Sequence, residues 1–359
     1  MIKGSKKMLT IILFVIFLLA LTTCVVINLP QFGKLPSGAR LERIKRSPQW
    51  KEGKFNNELE TVTMTGDKNL FQAMWSFVFD KAPDVEPKDS VPVIKTDLHK
   101  LEKDENLIVW FGHSSYLFQL AGKRILVDPV FYAAAPFGFA GKAFKGSEAY
   151  HPEDMPDIDF LVITHNHYDH LDYKTVKELK QKVKHVVCPL GVGEDFEYWG
   201  YDAGIVTEMD WWDRKAFADG IVFNCTPARH FSGRKLFDNA KTLWASFVIE
   251  KDSTNVFIGG DSGYSGHFKK ISEKFGHIDL AFMENGQYNQ DWNQIHTMPE
   301  EMVKEATELH ASLIFSVHYG KFALVRHSWD EPYRNIEKIR QAGFTVVKGT
   351  IGEVVKYEC

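Results

Sequence analysis

The apolar run Phe160-Leu161-Val162-Ile163 leads straight into Thr164-His165-Asn166-His167-Tyr168-Asp169-His170-Leu171, which sets three histidines and an aspartate within six positions. Imidazole nitrogen and carboxylate oxygen together suit a divalent metal, so a strand ending in this string has to open onto an edge where those side chains can face one point. Three further apolar runs end in residues of the same kind. Ile221 to Pro227 leads to His230, Val256 to Gly260 leads to Asp261, and Leu313 to Val317 leads to His318. Strand ends in a layered sheet share one rim, so residues far apart in sequence can meet there. The expectation is a layered fold with a metal-binding edge.

The surrounding pattern agrees with that reading. Short strands are predicted at Leu107 to Phe111, Tyr116 to Leu120 and Arg124 to Val127, the last two joined by the turn Ala121-Gly122-Lys123, as an antiparallel meander. Further strands are read at 160–164, 185–188, 204–207, 221–226, 243–249, 255–259, 279–283, 312–317, 344–348 and 351–356. Helical patterns fall between them at Tyr173 to Val183, Phe268 to Phe275, Pro299 to Leu309 and Tyr333 to Ala342. Strands broken by helices predict sheets covered by helices on their outer faces, an α/β or α+β sandwich spanning residues 101–359. With 44% apolar residues the core is ample, and a formal charge of −4 supplies no bulk basic surface for nucleic acid.

Residues 31–100 carry prolines at 36, 48, 83, 87 and 92 and read as an extended segment wrapping the core. Within it, Leu70 to Phe79 is aromatic-rich and suits a short helix, either packed on the domain or dipping into lipid. Residues 1–30 differ from the rest: Met8 to Leu29 is uncharged and long enough to span a bilayer, and follows Lys3, Lys6 and Lys7. A single-pass anchor is expected. A cleaved signal, or lipoprotein-type cleavage before Cys24, is the competing reading. The leading lysines favour a domain outside the cytoplasm, although Lys34, Arg40, Arg43, Lys45 and Arg46 lie just beyond the span. Cys24, Cys188, Cys225 and Cys359 show no paired spacing, and Cys188 and Cys225 read as small buried hydrophobes.

The chain resembles the metallo-β-lactamase-fold hydrolases through Thr164 to Leu171, His230, Asp261 and His318. It is similar in particular to their N-acylphosphatidylethanolamine-hydrolysing phospholipase D branch. That narrower likeness rests on Gly112-His113-Ser114-Ser115, Asp128-Pro129, His165 to Tyr173, Asp210-Trp211-Trp212, Gly260 to Tyr264 and His318 to Leu324, in the same order over about residues 107 to 335. The resemblance implies an αββα sandwich and two Zn2+ ions. His165, His167 and His230 would hold one, Asp169, His170 and His318 the other, and Asp261 would bridge them; iron and manganese accept the same ligands. The pair would activate a shared water for in-line displacement at phosphorus, with a bilayer phospholipid cleaved to phosphatidate and N-acylethanolamine.

Other positions enter on the same footing. His296 matches a family position near the metals, suited to proton donation or to holding a phosphate oxygen, against a plain capping role. For His113 a structural hydrogen-bonding role is expected, and Asp128 would orient a metal-bound histidine. The apolar loop 131–144 carries Phe131, Phe137, Phe139 and Phe144; it folds under the domain or forms a greasy entrance for lipid, and the anchor favours the entrance. One stretch departs from the lipid-cleaving members: Met283-Glu284-Asn285-Gly286-Gln287-Tyr288 stands where they carry a Gly-Ala-Tyr-type segment, which puts the head-group pocket in question. A lactonase or soluble phosphodiester hydrolase of the same fold is the alternative. An envelope scaffold with structural zinc is disfavoured, because seven candidate ligands exceed the four such a site needs.

Overall fold

The computed structural model describes residues 2–66, 83–235 and 238–358, so the helix expected at Leu70 to Phe79 lies outside the described residues. The chain opens with helix α1 (Ile2–Ile27), in which Thr10–Ile27 has a mean hydropathy of 3.0 and no part buried against the domain. By length and composition it is a candidate membrane span. After α2 (Gly38–Ile44) and the small hairpin of β1 (Trp50–Lys51) and β2 (Lys54–Phe55), two seven-stranded sheets make up the body.

The first sheet has the order β16 (Val354–Lys356), β3 (Leu107–Trp110), β4 (Tyr116–Leu120), β5 (Lys123–Val127), β6 (Ile158–Val162), β7 (Val183–Pro189), β8 (Val206–Met209). It is antiparallel through β5 and parallel from there to β8. The second sheet repeats the mixture: β9 (Arg214–Ala216), β10 (Val222–Thr226), β11 (Ser246–Lys251) and β12 (Thr254–Ile258) are antiparallel, and β13 (Ile278–Glu284), β14 (Ala311–Val317) and β15 (Thr345–Val347) continue in parallel.

Strand periodicity explains why both faces of the first sheet are dry. Ile108, Trp110, Phe118, Ile125, Phe160 and Val162 point into the inter-sheet core, where Tyr116 stacks on Phe282 of β13 at 4.1 Å between ring centres. Their neighbours Leu107, Val109, Leu117, Leu126 and Leu161 point outward into a second cluster with Val176 and Leu179 of α3 (Tyr173–Leu179) and Phe196 of α4 (Gly193–Tyr198). Strands buried on both faces read as near-continuous apolar runs, which is what the sequence shows. The outer face of the second sheet is covered by α5 (His267–Phe275), α6 (Met302–Glu308) and α7 (Glu331–Gln341), through Phe268, Ile271, Met302, Ile336 and Ile339. The αββα sandwich expected from the sequence is therefore present.

Several expectations shift in detail. The strand read at 243–249 starts only at Ser246, because the backbone of Leu243 and Ala245 donates to Leu190 and Thr164 of the other half rather than into a ladder. The strand read at 204–207 opens as a single tight turn and pairs only from Val206. Cys188 and Cys225 are free and buried, as read.

Candidate metal centre

Strand direction decides where the chemistry collects. β3, β5 and β6 run the same way in the first sheet, as do β10, β12, β13 and β14 in the second, so each sheet delivers its strand ends to one edge. That edge receives His113 after β3, Asp128 after β5, His165 after β6, His230 after β10, Asp261 after β12, Glu284 at the end of β13 and His318 after β14. The two halves are tied there by reciprocal bonds: the His113 amide donates to Tyr319 O at 2.7 Å and the His318 amide to His113 O at 3.0 Å. His113, Asp128 and His318 all adopt positive φ, at 54°, 40° and 73°. Non-glycine residues pay for that conformation only where the surrounding structure fixes them, and such positions gather at functional sites.

The sequence-predicted ligands meet in two overlapping groups. His165 Nε2 lies 2.9 Å, and His230 Nε2 3.2 Å, from His167 Nδ1. Three imidazole nitrogens thus face one point. Asp169, His170, His318 and His113 form the second group. Asp261 lies between them, with Oδ2 3.1 Å from His170 Nε2 and 3.8 Å from His230 Nε2, and Oδ1 3.2 Å from His318 Nδ1. These approaches lack hydrogen-bond geometry, and His170 Nε2, His318 Nε2 and Asp261 Oδ1 are buried without a hydrogen-bond partner. Buried polar atoms are rarely left so, and orphans from a His/Asp donor set aimed at one region fit a bound cation.

Electrostatics point the same way for four of the five candidate rings. His170 is the exception: burial would lower it, but Asp261, then Asp169 and Asp128, outweigh burial and hold it well above its usual value. Burial, reinforced by neighbouring histidines, pushes the pKa of His165 well below its usual value; burial does the same for His230 and His318 against the pull of Asp261, and brings His167 down to about 4. Metal ligation requires neutral imidazole, so these rings are poised for it. Burial works to raise Asp169, but His170 and then His113 outweigh it and keep the carboxylate ionised.

Three of the candidate ligand rings are fixed through a second nitrogen. Asp128 Oδ2 accepts from His170 Nδ1 at 2.7 Å, and the same carboxylate accepts from the Thr164 amide at 2.8 Å and Oγ1 at 2.6 Å. Ile295 O holds His230 Nδ1 at 2.8 Å, and Ser114 Oγ lies 2.8 Å from His318 Nδ1. His113 Nε2 lies 3.0 Å from Asp169 Oδ2. Such partners set tautomer and ring angle, so Asp128→Asn should weaken metal binding about 10- to 100-fold while leaving the ligand count unchanged. Competition with a chromophoric chelator measures this, and unchanged affinity would show that His170 orients itself.

His296 joins the site from a loop. Its Nδ1 sits 2.5 Å from Glu284 Oε1, and its ring packs on His230 and His318. Burial raises Glu284 to about 7, with His296 opposing; burial would lower His296, but Glu284 outweighs it and raises the imidazole. Glu284 was read from sequence only as a departure in a head-group pocket. Its place at the end of β13, beside three other strand ends that carry candidate ligands, was the available signal for its position on this edge.

The phenylalanine loop needs correction. Phe131 is 1% exposed against Phe111, and Phe144 is equally part of the core at 5%, so neither lines an entrance. Phe137 and Phe139 stack at 5.6 Å on the surface, with Phe139 78% exposed, and Phe137 meets Phe32 just beyond α1. None of the four lines the cavity above the ligands. Its walls come from Thr63, Met64, Phe231, Gln287, Trp292, Ile295, Leu324 and Val325. Trp211 of the Asp210-Trp211-Trp212 motif donates to Trp244 O and packs in the inter-sheet core.

Comparison with known proteins completes the picture. The family profile described as "Beta-lactamase superfamily domain" matches residues 123–319. An uncharacterized protein of Mycobacterium tuberculosis is 33% identical over 303 residues, covering 81% of this chain and 79% of that protein. N-acyl-phosphatidylethanolamine-hydrolyzing phospholipase D 1 of Caenorhabditis elegans is 33% identical over 232 residues, 60% of this chain and 64% of that protein. Igni18, a metallo hydrolase from Ignicoccus hospitalis, shares the fold with a TM-score of 0.55 at 22% identity, over 71% of this chain and 99% of that chain. The chain belongs to the beta-lactamase superfamily, as a metal-dependent hydrolase of the metallo-β-lactamase fold that resembles the N-acylphosphatidylethanolamine-hydrolysing phospholipases D.

Proposed function

We propose that this protein is a membrane-anchored phosphodiesterase of phospholipase D type, holding two zinc ions and cleaving N-acylphosphatidylethanolamine-like lipids to phosphatidate and N-acylethanolamine. The observation that carries the reading is the character of the cavity above the ligands. It measures about 350 Å³, and beyond His167, Asp169, His230, Asp261, His296 and His318 its walls are mostly apolar, with no lysine, arginine or further carboxylate among the described residues that line it. A free ammonium would enter with no counter-ion outside the ligand set, whereas an N-acylated head group carries no charge on its nitrogen. The span at Thr10–Ile27 supports a substrate drawn from a bilayer, with the domain outside the cytoplasm.

His165, His167 and His230 suit one cation and Asp169, His170 and His318 a second, with Asp261 between them. Two divalent cations so held would supply an activated water and neutralise charge on a phosphodiester. The chain's own residues do the rest. The apolar wall orients the lipid and excludes bulk water. His296, held through Nδ1 by Glu284, lines the cavity, where its other nitrogen can protonate the departing N-acylethanolamine oxygen as water adds to phosphorus and the distal P–O bond breaks.

The test is hydrolysis of N-acylated and free phosphatidylethanolamine by zinc-loaded protein in mixed micelles. The N-acylated lipid should be cleaved at least about tenfold faster, since the free amine carries an unpaired charge into an apolar wall. No phospholipid turnover, together with a His170→Ala variant that behaves as the parent, would remove the proposal.

A further inference from the structure

Residues 57–66 form a strap that belongs to no strand or helix and brings Thr63 and Met64 to the cavity wall. Most of its attachments run through side chains. Asn57 clasps the backbone of His230 from both sides, donating to His230 O at 2.8 Å and accepting from the His230 amide at 3.1 Å. Arg229 donates to Thr61 Oγ1 at 3.0 Å, and Gln294 Oε1 accepts both from Arg229 at 2.9 Å and from the Val62 amide at 2.9 Å. The Thr65 amide donates to Asp291 O at 2.7 Å, and Gly66 lies so near that a Cβ there would stand 2.4 Å from Asp291 Oδ1.

Apolar burial does not hold the strap: Leu59 and Val62 are 53% and 51% exposed. A segment held by a few hydrogen bonds and little apolar burial is among the parts of a fold that open most readily. Yet it turns Thr63 and Met64 inward, where they line the same cavity as His167, Asp169 and His318. An unbranched thioether on a loosely held segment makes an adaptable apolar surface.

We infer that residues 57–66 form the specificity-determining wall of the active site, with Met64 and Thr63 against the acyl portion of the substrate and Asn57 setting their distance from His230. The inference rests on the lipid phosphodiesterase reading. It gives the segment before the catalytic domain a function that a wrapping role does not.

Two measurements test it. Hydrogen–deuterium exchange of the zinc-loaded full chain should show residues 57–66 protected about tenfold when a non-cleavable phosphonate analogue of an N-acylated dialkyl phospholipid is added. In kinetics, Met64→Trp should raise KM for a palmitoyl-amide substrate about tenfold more than KM for a butanoyl-amide one, and Met64→Leu, which keeps the bulk, should shift that ratio less than about twofold. Analogue binding without strap protection, with a KM ratio indifferent to Trp, overturns the strap and leaves the lipid reading standing. A parent protein that cleaves bis(p-nitrophenyl) phosphate but neither cleaves phospholipid nor binds the analogue overturns the lipid reading, and the inference with it.

Discussion

Asp261→Asn is expected to lower kcat/KM about a thousandfold and to release at least one metal ion per chain. The carboxylate is 3% exposed and stands within 4 Å of nitrogens from His165, His170, His230 and His318, so it touches both ligand groups. Burial works to raise its pKa, but His170 and His318 outweigh burial and hold it well below the usual carboxylate range. An amide is nearly isosteric yet cannot supply the negative charge, and removing one partner of a buried charged set costs about 3–5 kcal/mol, which is 10²- to 10³-fold or more in an equilibrium or rate constant. The loss should be in kcat/KM and metal content together, with the fold retained, because Asp261 lies on a rim loop after β12 and outside the apolar clusters. Metal analysis by mass spectrometry alongside steady-state kinetics decides the matter. Full metal content with activity within about tenfold of the parent would mean that the carboxylate is not shared.

The geometry that makes Asp261 central could be read in the sequence only in part. The string from His165 to His170 is local, and one turn is enough to bring its side chains together. His230, Asp261 and His318 were legible because each follows an apolar run, and parallel strands must end on a common edge. The fixing partners were less visible. Asp128 follows a strand and could be read by the same rule, but Ile295 acts through its carbonyl, and any residue type would supply that. Glu284 ends β13 as clearly as His318 follows β14, yet an acidic side chain within an apolar strand carries no sign of what it will meet until the loop bearing His296 is placed.

Loop 131–144 shows the limit of composition as a guide. Its four phenylalanines are alike in sequence, and the fold sends two to the core and leaves two outside. Phe131 is fixed because its amide donates to Thr175 of α3, and Phe144 because its amide donates to Lys321 O. Both are tertiary contacts with no periodic signature. The strap was hidden for a related reason: residues 57–66 have neither the 3.6-residue nor the two-residue period, and their importance comes from Asn57 reaching His230, 173 positions away.

His267, which lies outside the candidate ligand set, should set much of the acid limit of stability. It begins α5 at 2% exposure, with Nδ1 2.6 Å from Ser265 Oγ and Nε2 3.2 Å from Ser262 Oγ. Ser262 Oγ donates to Gly263 O, so Nε2 carries the proton toward Ser262, Ser265 donates to Nδ1, and the ring is neutral. Burial, with Arg229 and Lys270 adding to it, lowers its pKa to about 3, against about 6.5 in the unfolded chain. A depressed folded pKa means that the unfolded state binds more protons between those values, so stability is lost as pH falls through that window, by about 1.4 kcal/mol per pH unit. His267→Gln removes the titration and leaves every other group in place. The stability difference between parent and variant should therefore move by about 2–3 kcal/mol in the variant's favour from pH 6.5 to 4.5, read from urea unfolding of the zinc-loaded proteins. Parallel pH profiles would show that the ring charges without cost. Because Ser262 directly follows Asp261 and gives its amide to Glu284 at 2.8 Å, charging His267 would strain the loop that carries the shared carboxylate, and metal affinity in the parent should weaken over the same pH range more steeply than in the variant.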